Sequence, residues 1–351
     1  MPGDPKPHAG SPPLPDLLGL LADPEAAERL SPLGDRPVCV IDVEAASRDA
    51  ALPDPRAGIL IGIDRKGEAP AGLDVAFDVL LTPAATPGPE WVRVDAAALD
   101  AEAARLEARA LANPFAASIY CQVLRLSERL SFADGLILES LAYSTLLAGG
   151  EFRRWRGANP VRRAAEARDG LVRSERMRDT LRVTLARPEA HNALSAAMRN
   201  QLAEALRVAA ADPMIRRVTL AGEGPSFCSG GDLDEFGTAD DQAMAHAIRV
   251  TRSVAAIVHG VAERTSAKLH GACMGAGIEI PAAAGCVVAA RDTIMGLPEL
   301  GMGLIPGAGG TVTVRRRIGR HRTCWLGLSG ERIGALQALA WGLVDAVEDE
   351  A

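Results

Sequence analysis

The sequence predicts an α/β protein of two parts, and three observations support this class. Short apolar strands separated by turn residues run from Pro37 to Pro83. Helical patterns follow from Asp95 to Gly150, and a second alternation of strands and helices begins at Leu181. The 351 residues are 48% hydrophobic and 24% charged, which is typical of a folded protein with room for two domains. Only 3% are aromatic, so Ala, Val, Leu and Ile must fill the core.

The first 157 residues are expected to form a tail followed by a domain. Residues 1–16 are rich in proline, lack the apolar region of a signal peptide and are expected to be a flexible tail. Residues 17–157, called the first part below, are predicted to form an N-terminal α/β and helical domain. Its helix at 131–148 is expected to begin at Ser131, because Asp134 three residues later gives a start like a capping box.

A basic linker is predicted at 158–177. Ten arginines face only four acidic residues between Arg153 and Arg182. Such a segment is interpreted either as a solvated linker or as a contribution to binding an anionic cofactor tail. The same two interpretations apply to the second basic segment, 315–322.

Residues 178–351, called the second part below, continue the alternation of strands and helices. We expect a helix from Ser195 to Ala211 and one long helix from Asp240 to His259. The nearly uncharged run at 269–290 is long enough to span a bilayer, but Glu279 at its middle favours a buried strand, turn and helix. The sequence therefore predicts no membrane contact.

Charge and cysteine content limit the partners. The net charge of −7 argues against nucleic acid as a partner. The six cysteines form no Cys-x-x-Cys pair and lie near no histidine at metal spacing, so we expect no metal site and reduced, mostly buried thiols in a cytoplasmic protein.

The second part carries a set of glycine-rich motifs. RPEAHNALS stands at 187–195, PSFCSGGDLDEF at 225–236, and HGACMGAGIEIPAAAG at 270–285 is followed by LPELGMGLIPGAGGT at 297–311. In this order and spacing they resemble the crotonase superfamily, the enoyl-CoA hydratase/isomerase family, from residue 178 to about 347. The resemblance implies a crotonase-like ββα superhelix, a coenzyme A thioester as substrate and no prosthetic group.

Two glycine-rich turns are the expected oxyanion hole. Two backbone N–H groups that converge on one oxygen stabilise a thioester enolate, and glycine lets a backbone approach a ligand closely. By resemblance the donors are the amides of Gly231 and Ala276. The alternative is that these glycines only make tight turns between strands and helices.

Two glutamates complete the expected catalytic site. Glu279 and Glu299 stand 20 positions apart, and a carboxylate in so apolar a stretch is costly unless it is paired or used. By resemblance Glu279 activates a water and Glu299 exchanges a proton at the α-carbon. The presence of both favours hydration or dehydration over a double-bond shift. The alternative is two satisfied core carboxylates.

The resemblance also implies a binding path for coenzyme A. Asp232 is expected to orient its loop or to cap the helix beyond it. The residues implied in binding are Ala193, Leu194, Ser229, Gly231, Asp232, Leu233, Gly275 and Pro298.

The sequence departs from the family at its end. Family members usually continue as helices beyond the segment that matches 330–349, so the second part is expected to lack these C-terminal helices. Residues 126–157 resemble that helical stretch. The first part is therefore interpreted as a shortened, degenerate crotonase-like unit whose helices cover the active half, or as an unrelated domain. A homo-oligomer is expected.

The leading functional hypothesis is an acyl-CoA hydratase or dehydratase acting on a 2-enoyl or 3-hydroxyacyl thioester. Other crotonase chemistry remains open: isomerisation, thioester hydrolysis, carbon–carbon cleavage or cofactor-independent dioxygenation. A third hypothesis is a coenzyme A-binding or assembly subunit without turnover. The sequence does not specify the acyl group.

Overall fold

A computed structural model describes residues 25–43, 58–73, 76–162 and 168–349. The expected tail at 1–16 lies outside these residues. Within them the chain has mixed α/β architecture, as predicted, with one parallel sheet in the first part and two sheets in the second.

The first part contains a four-stranded parallel sheet whose strand order follows the chain. Its second strand, ILIGI, is buried throughout, which is typical of a parallel sheet covered on both faces. The register pairs Val40 with Ile61 and Gly62 with Leu80. After a short helix α1 (Ala26–Arg29), the strands are β1 (Val38–Asp42), β2 (Ile59–Ile63), β3 (Val79–Thr82) and β4 (Val92–Arg93).

Four helices follow the sheet. The predicted start at Ser131 is confirmed: its Oγ accepts a hydrogen bond from the Asp134 amide at 3.1 Å and donates one to the Asp134 carboxylate at 2.7 Å. The helices are α2 (Leu99–Ala112), α3 (Pro114–Ser127), α4 (Phe132–Leu147) and α5 (Gly150–Ala158).

The second part contains a six-stranded sheet and a three-stranded sheet. The order in the larger sheet is β13-β10-β8-β7-β6-β5, parallel except for β5 and β6, and in the smaller one β12-β11-β9. The strands are β5 (Val172–Met177), β6 (Thr180–Leu185), β7 (Arg217–Gly222), β8 (Thr265–Leu269), β9 (Ala272–Met274), β10 (Cys286–Ala290), β11 (Ile294–Gly296), β12 (Arg332–Gly334) and β13 (Ala346–Glu348).

The end of the predicted linker is a strand. Residues 172–177 form β5 and pair antiparallel with β6, so this strand is counted with the second part from here on. Five of the six β5 residues are exposed, and the segment therefore carries no apolar alternation that would reveal it. Arg178 turns the chain between the strands with a φ of 56°.

The prediction of one long helix at 240–259 is wrong, because two helices occupy this stretch. Arg252 leaves helical geometry, and the Ser253 side chain starts a new helix by accepting a hydrogen bond from the Ala256 amide at 3.2 Å. The helix expected at 195–211 is confirmed, with Ser195 as its cap. The helices of the second part are α6 (Ala196–Ala211), α7 (Gln242–Thr251), α8 (Val254–Gly260), α9 (Ala276–Glu279), α10 (Gly310–Ile318), α11 (Arg320–Ser329) and α12 (Ala335–Trp341).

The apolar run at 269–290 forms the predicted buried strand, turn and helix: β9, then α9 and a 3₁₀ turn at Pro281–Ala283. Pro281 begins that turn, where its missing N–H leaves no hydrogen bond unmade. In the part of the chain that the structure describes, no helix has the length and apolar character needed to cross a membrane.

One hydrophobic cluster contains residues of both parts. Leu300, Leu304 and Leu328 of the second part pack in the same cluster as the helices of the first part. The Tyr120 hydroxyl, fully buried on α3, donates a hydrogen bond to the Thr323 carbonyl of α11 at 2.8 Å. Cys121 and Cys324 also meet there as free thiols, with their sulfur atoms 3.4 Å apart. Five of the six cysteines are buried, as the sequence predicts.

Candidate active site

A cavity of about 590 Å³ lies between the two parts. This volume suits a small-molecule ligand. Helix α4 of the first part forms one wall, and α7 and the start of α9 form others. The four predicted catalytic residues, Gly231, Ala276, Glu279 and Glu299, all line this cavity.

The two expected oxyanion-hole amides are free for a ligand. Gly231 lies in an isolated bridge with Leu194, in which the Leu194 amide donates to the Gly230 carbonyl at 2.7 Å. Ala276 is the first residue of α9, so its own amide has no acceptor within the helix. Among the described residues, no protein group accepts a hydrogen bond from the Gly231 or Ala276 amide.

Glu279 is buried at the end of α9 and bound by two backbone amides. Its Oε2 accepts hydrogen bonds from the amides of Ala308 at 2.7 Å and Gly310 at 2.9 Å. Burial raises the pKa of Glu279 from 4.5 to about 7, and the two amides oppose part of this rise by stabilising the anion.

Glu299 is buried in a more apolar setting. It begins a 3₁₀ turn at Glu299–Met302, and its Oε2 finds no hydrogen-bond partner among the described residues. Burial, followed by repulsion from the Glu279 charge, raises the pKa of Glu299 well above its usual value of 4.5. Both causes favour the protonated form of Glu299.

Gly275 separates the two glutamates. A Cβ atom on Gly275 would lie 2.3 Å from Oε1 of Glu299 and 3.6 Å from Oε1 of Glu279. The φ of 50° at Gly275 also favours glycine. Both carboxyl groups thus converge on the space beside Gly275, where one small molecule can contact both.

A third buried carboxylate comes from the first part and was not predicted. Glu139 of α4 accepts hydrogen bonds from the Gly309 amide at 2.7 Å and from the Thr311 amide at 2.9 Å and hydroxyl at 2.7 Å. Burial, then repulsion from Glu279, raises the pKa of Glu139 to about 8. A single acidic residue in the apolar stretch LILESLAY is the same signal that singled out Glu279.

Only three of the eight residues predicted to bind coenzyme A line the cavity. Leu194, Gly231 and Asp232 line the cavity. Asp232 accepts hydrogen bonds from Arg187 Nη1 at 2.6 Å and from the Asp234 amide at 3.2 Å. Its carboxylate therefore orients the loop, as the sequence predicts.

The other predicted binding residues lie around these. The Ser229 amide donates to the His191 carbonyl at 3.0 Å, and the exposed Leu233 has a carbonyl that accepts from Arg156 at 2.6 Å. Gly275 lies beside the two glutamates, at the distances given for its Cβ position. Five of the eight residues are not among the described residues that line the cavity: Ala193, Ser229, Leu233, Gly275 and Pro298.

Three arginines in the cavity wall were not predicted as site residues: Arg199, Arg249 and Arg252. Arg249 is held by α4, since its Nε donates to Ser140 Oγ at 3.0 Å and its guanidinium lies 5.1 Å from the centre of the Tyr143 ring. None of the three forms a side-chain ion pair with a carboxylate within the described ranges. The three guanidinium groups add positive charge to a lining that also holds acidic side chains, among them Glu235, Asp240 and Asp241.

The basic segment at 315–322 serves the contact between the two parts. The Arg320 side chain is only 3% exposed and binds Glu128 at 3.1 Å, and Arg322 donates to the Trp91 carbonyl at 3.3 Å. This segment is therefore structural rather than part of the cavity. No group of three or more His, Cys, Asp or Glu side chains in the described chain could hold a metal ion.

Comparison with known proteins identifies the family. The family model described as Enoyl-CoA hydratase/isomerase matches residues 175–351, just over half of the chain. The chain belongs to the enoyl-CoA hydratase/isomerase family. This confirms the resemblance to the crotonase superfamily and the crotonase-like fold class of the second part.

Named members of the enoyl-CoA hydratase/isomerase family resemble the same half. The 2,3-dehydroadipyl-CoA hydratase of Escherichia coli (strain K12) is 36% identical, over 49% of this chain and 67% of that protein. The mevalonyl-coenzyme A hydratase SIDH of Beauveria bassiana (strain ARSEF 2860) is 34% identical, over 48% of this chain and 63% of that protein. An enoyl-CoA hydratase structure from Thermoplasma volcanium GSS1 is 33% identical, over 51% and 72%, with a TM-score of 0.48. The chain thus spans about two thirds of the length of these curated relatives.

Proposed function

We propose that this protein adds water to the double bond of a 2-enoyl-CoA thioester, or removes it from a 3-hydroxyacyl-CoA thioester. The meeting of Glu279 and Glu299 beside Gly275 carries this proposal. Hydration moves two protons, one from the water and one to the α-carbon, and so uses two carboxyl groups. A double-bond shift needs only one group that moves a proton between carbons.

The protonation states of the two glutamates fit these roles. Glu279 is the more readily ionised, because two amides stabilise its anion. As base, Glu279 takes a proton from the water while the water oxygen bonds to the β-carbon. Glu299, which retains its proton, delivers it to the α-carbon. The two steps together add one water, and the reverse sequence removes it.

The amides of Gly231 and Ala276 are proposed to hold the thioester oxygen. Negative charge develops on this oxygen when the β-carbon is attacked. Gly231 and Ala276 line the cavity together with the glutamates, and their amides lack protein acceptors in the described part of the chain. They can therefore bind the oxyanion without giving up an existing hydrogen bond.

Coenzyme A is proposed to enter along Leu194, Gly231 and Asp232 as part of the substrate, with no prosthetic group. Its phosphates carry negative charge, and Arg199 and Arg252 in the cavity wall supply positive charge without a carboxylate partner in the described ranges. The first part is proposed to cover the site, because α4 forms a wall of the cavity.

The reaction is tested with but-2-enoyl-CoA and longer 2-enoyl thioesters in D₂O. Hydration removes the absorbance of the conjugated thioester and leaves one deuterium at C2 and a hydroxyl at C3, which NMR identifies. A double-bond shift in but-3-enoyl-CoA without hydration would overturn the proposal in favour of isomerisation. Binding of the thioesters without conversion would overturn it in favour of a coenzyme A-binding subunit.

A further inference from the structure

Two carboxylates from opposite parts of the chain bind one short loop. The amides of Ala308 and Gly310 donate to Glu279, whereas those of Gly309 and Thr311 donate to Glu139. Four consecutive backbone N–H groups thus alternate between the two side chains. None of the four can turn without breaking a bond to a buried carboxylate.

We propose that Glu139 is a positioning residue, which fixes residues 308–311 so that this loop holds the Glu279 carboxylate in its reactive orientation. This proposal rests on the proposed function for its kinetic part. Glu139 also lines the cavity, but its two carboxyl oxygens are occupied by donors of Gly309 and Thr311, and we assign its effect to Glu279 through the shared loop.

The sequence around the loop makes it dependent on such an anchor. Residues 307–310 are GAGG, and Gly309 has a φ of 113°, so the segment has no large side chain to hold it and much conformational freedom when unbound. Glu139 supplies the missing anchor with three hydrogen bonds, and it is only 2% exposed. Three hydrogen bonds to one buried side chain thus hold the segment from Gly309 to Thr311.

Glu139 also connects the first part of the chain to the candidate active site. It projects from α4, which belongs to the first part and lies outside the family match at 175–351. The last two residues of the loop, Gly310 and Thr311, are the first two of α10, so Glu139 also binds the N-terminus of this helix. The second part thus obtains the anchor for its catalytic loop from residues far away in sequence.

Glu151 offers a matched control. It is a second buried glutamate of the first part, and its carboxylate accepts hydrogen bonds from the amides of Phe115 and Ala116, each at 2.9 Å. These amides begin α3, and Glu151 is not among the described residues that line the cavity. Substitution of Glu151 should therefore cost stability in the same way without moving the loop at 308–311.

The test compares Glu139→Gln with Glu151→Gln. We expect Glu139→Gln to lower kcat for hydration about 10- to 100-fold with KM changed less than about threefold, since a displacement near 1 Å costs on this order. In a Glu279→Gln background the same change should have almost no further effect, because the residue acts through Glu279. The isosteric Thr311→Val, which removes one of the three bonds to Glu139, should give a smaller loss in the same direction if Glu139→Gln folds poorly.

Hydrogen exchange at the amides of 308–311 gives a readout that does not need turnover. We expect faster exchange there in Glu139→Gln and wild-type exchange in Glu151→Gln. An equal kcat loss in both variants, an additive loss in the Glu279→Gln background, or unchanged exchange in Glu139→Gln would overturn the proposal. If the wild type hydrates no enoyl thioester, the proposed function fails, and faster exchange confined to Glu139→Gln still supports the anchoring role.

Discussion

The Cβ position of Gly275 lies 2.3 Å from Oε1 of Glu299, closer than a methyl group can approach an oxygen atom. We therefore predict that Gly275→Ala pushes Glu299 out of place and lowers kcat for hydration about 100-fold or more. Gly301→Ala is the matched control, because a Cβ there meets no atom within 4 Å and the residue follows Glu299 by two positions. Steady-state hydration kinetics measure both, and equal rates for Gly275→Ala and wild type would contradict the geometry.

The pH dependence of kcat/KM should follow the two glutamates. The proposed mechanism requires Glu279 as carboxylate and Glu299 as acid. We predict that kcat/KM rises with pH as Glu279 ionises, with an apparent pKa near 7. At higher pH kcat/KM should fall as Glu299 loses its proton. A profile measured from pH 5 to 9 that stays flat would contradict these assignments.

Stability should fall as pH rises. The folded pKa values of Glu279 and Glu299 are raised above the ordinary 4.5, so the folded protein binds more protons than the unfolded chain above this pH. Their contribution to stability is full below about pH 4.5 and is lost as pH rises through the folded values.

Glu299→Gln removes one of these titrations. We predict that the drop in the free energy of unfolding between pH 5 and pH 8 becomes smaller, because the glutamine cannot lose a proton as pH rises. Denaturant unfolding at both pH values measures the difference. The exposed Glu204→Gln serves as control, and the same drop in Glu299→Gln as in wild type would show that Glu299 is not a perturbed acid.

Arg252 should act in binding rather than in chemistry. Arg252 lines the cavity. Burial lowers the pKa of the Arg199 guanidinium, and the nearby positive charge of Arg252 lowers it further. We predict that Arg252→Gln raises KM for an enoyl-CoA about 3- to 10-fold with kcat little changed, and that the difference shrinks at high salt. Exposed Arg216→Gln outside the cavity should leave KM unchanged, and a fall in kcat alone for Arg252→Gln would contradict a binding role.

Local sequence signals predicted much of the site. The apolar stretch around Glu279 singled out this carboxylate, and the resemblance to the family supplied Gly231, Ala276 and Glu299. All four residues line the cavity. The helices that begin after Ser131 and Ser195 were predicted, and both serine side chains cap them.

Features that depend on contacts distant in sequence escaped prediction. Glu139 and Thr311 stand 172 positions apart, and nothing near Glu139 reveals that it binds the loop. The exposed strand β5 carries no apolar pattern, and only its pairing with β6 makes it a strand. The break in the helix expected at 240–259 follows from Ser253, whose side chain competes for the backbone amide of Ala256.

The most direct test of the account is the hydration of a 2-enoyl-CoA by wild type, Glu279→Gln and Glu299→Gln. The two-carboxylate mechanism predicts that each substitution alone lowers kcat at least about 100-fold, because each removes one of the two proton transfers. Wild-type hydration by either variant would contradict the claim that Glu279 and Glu299 act together on one water.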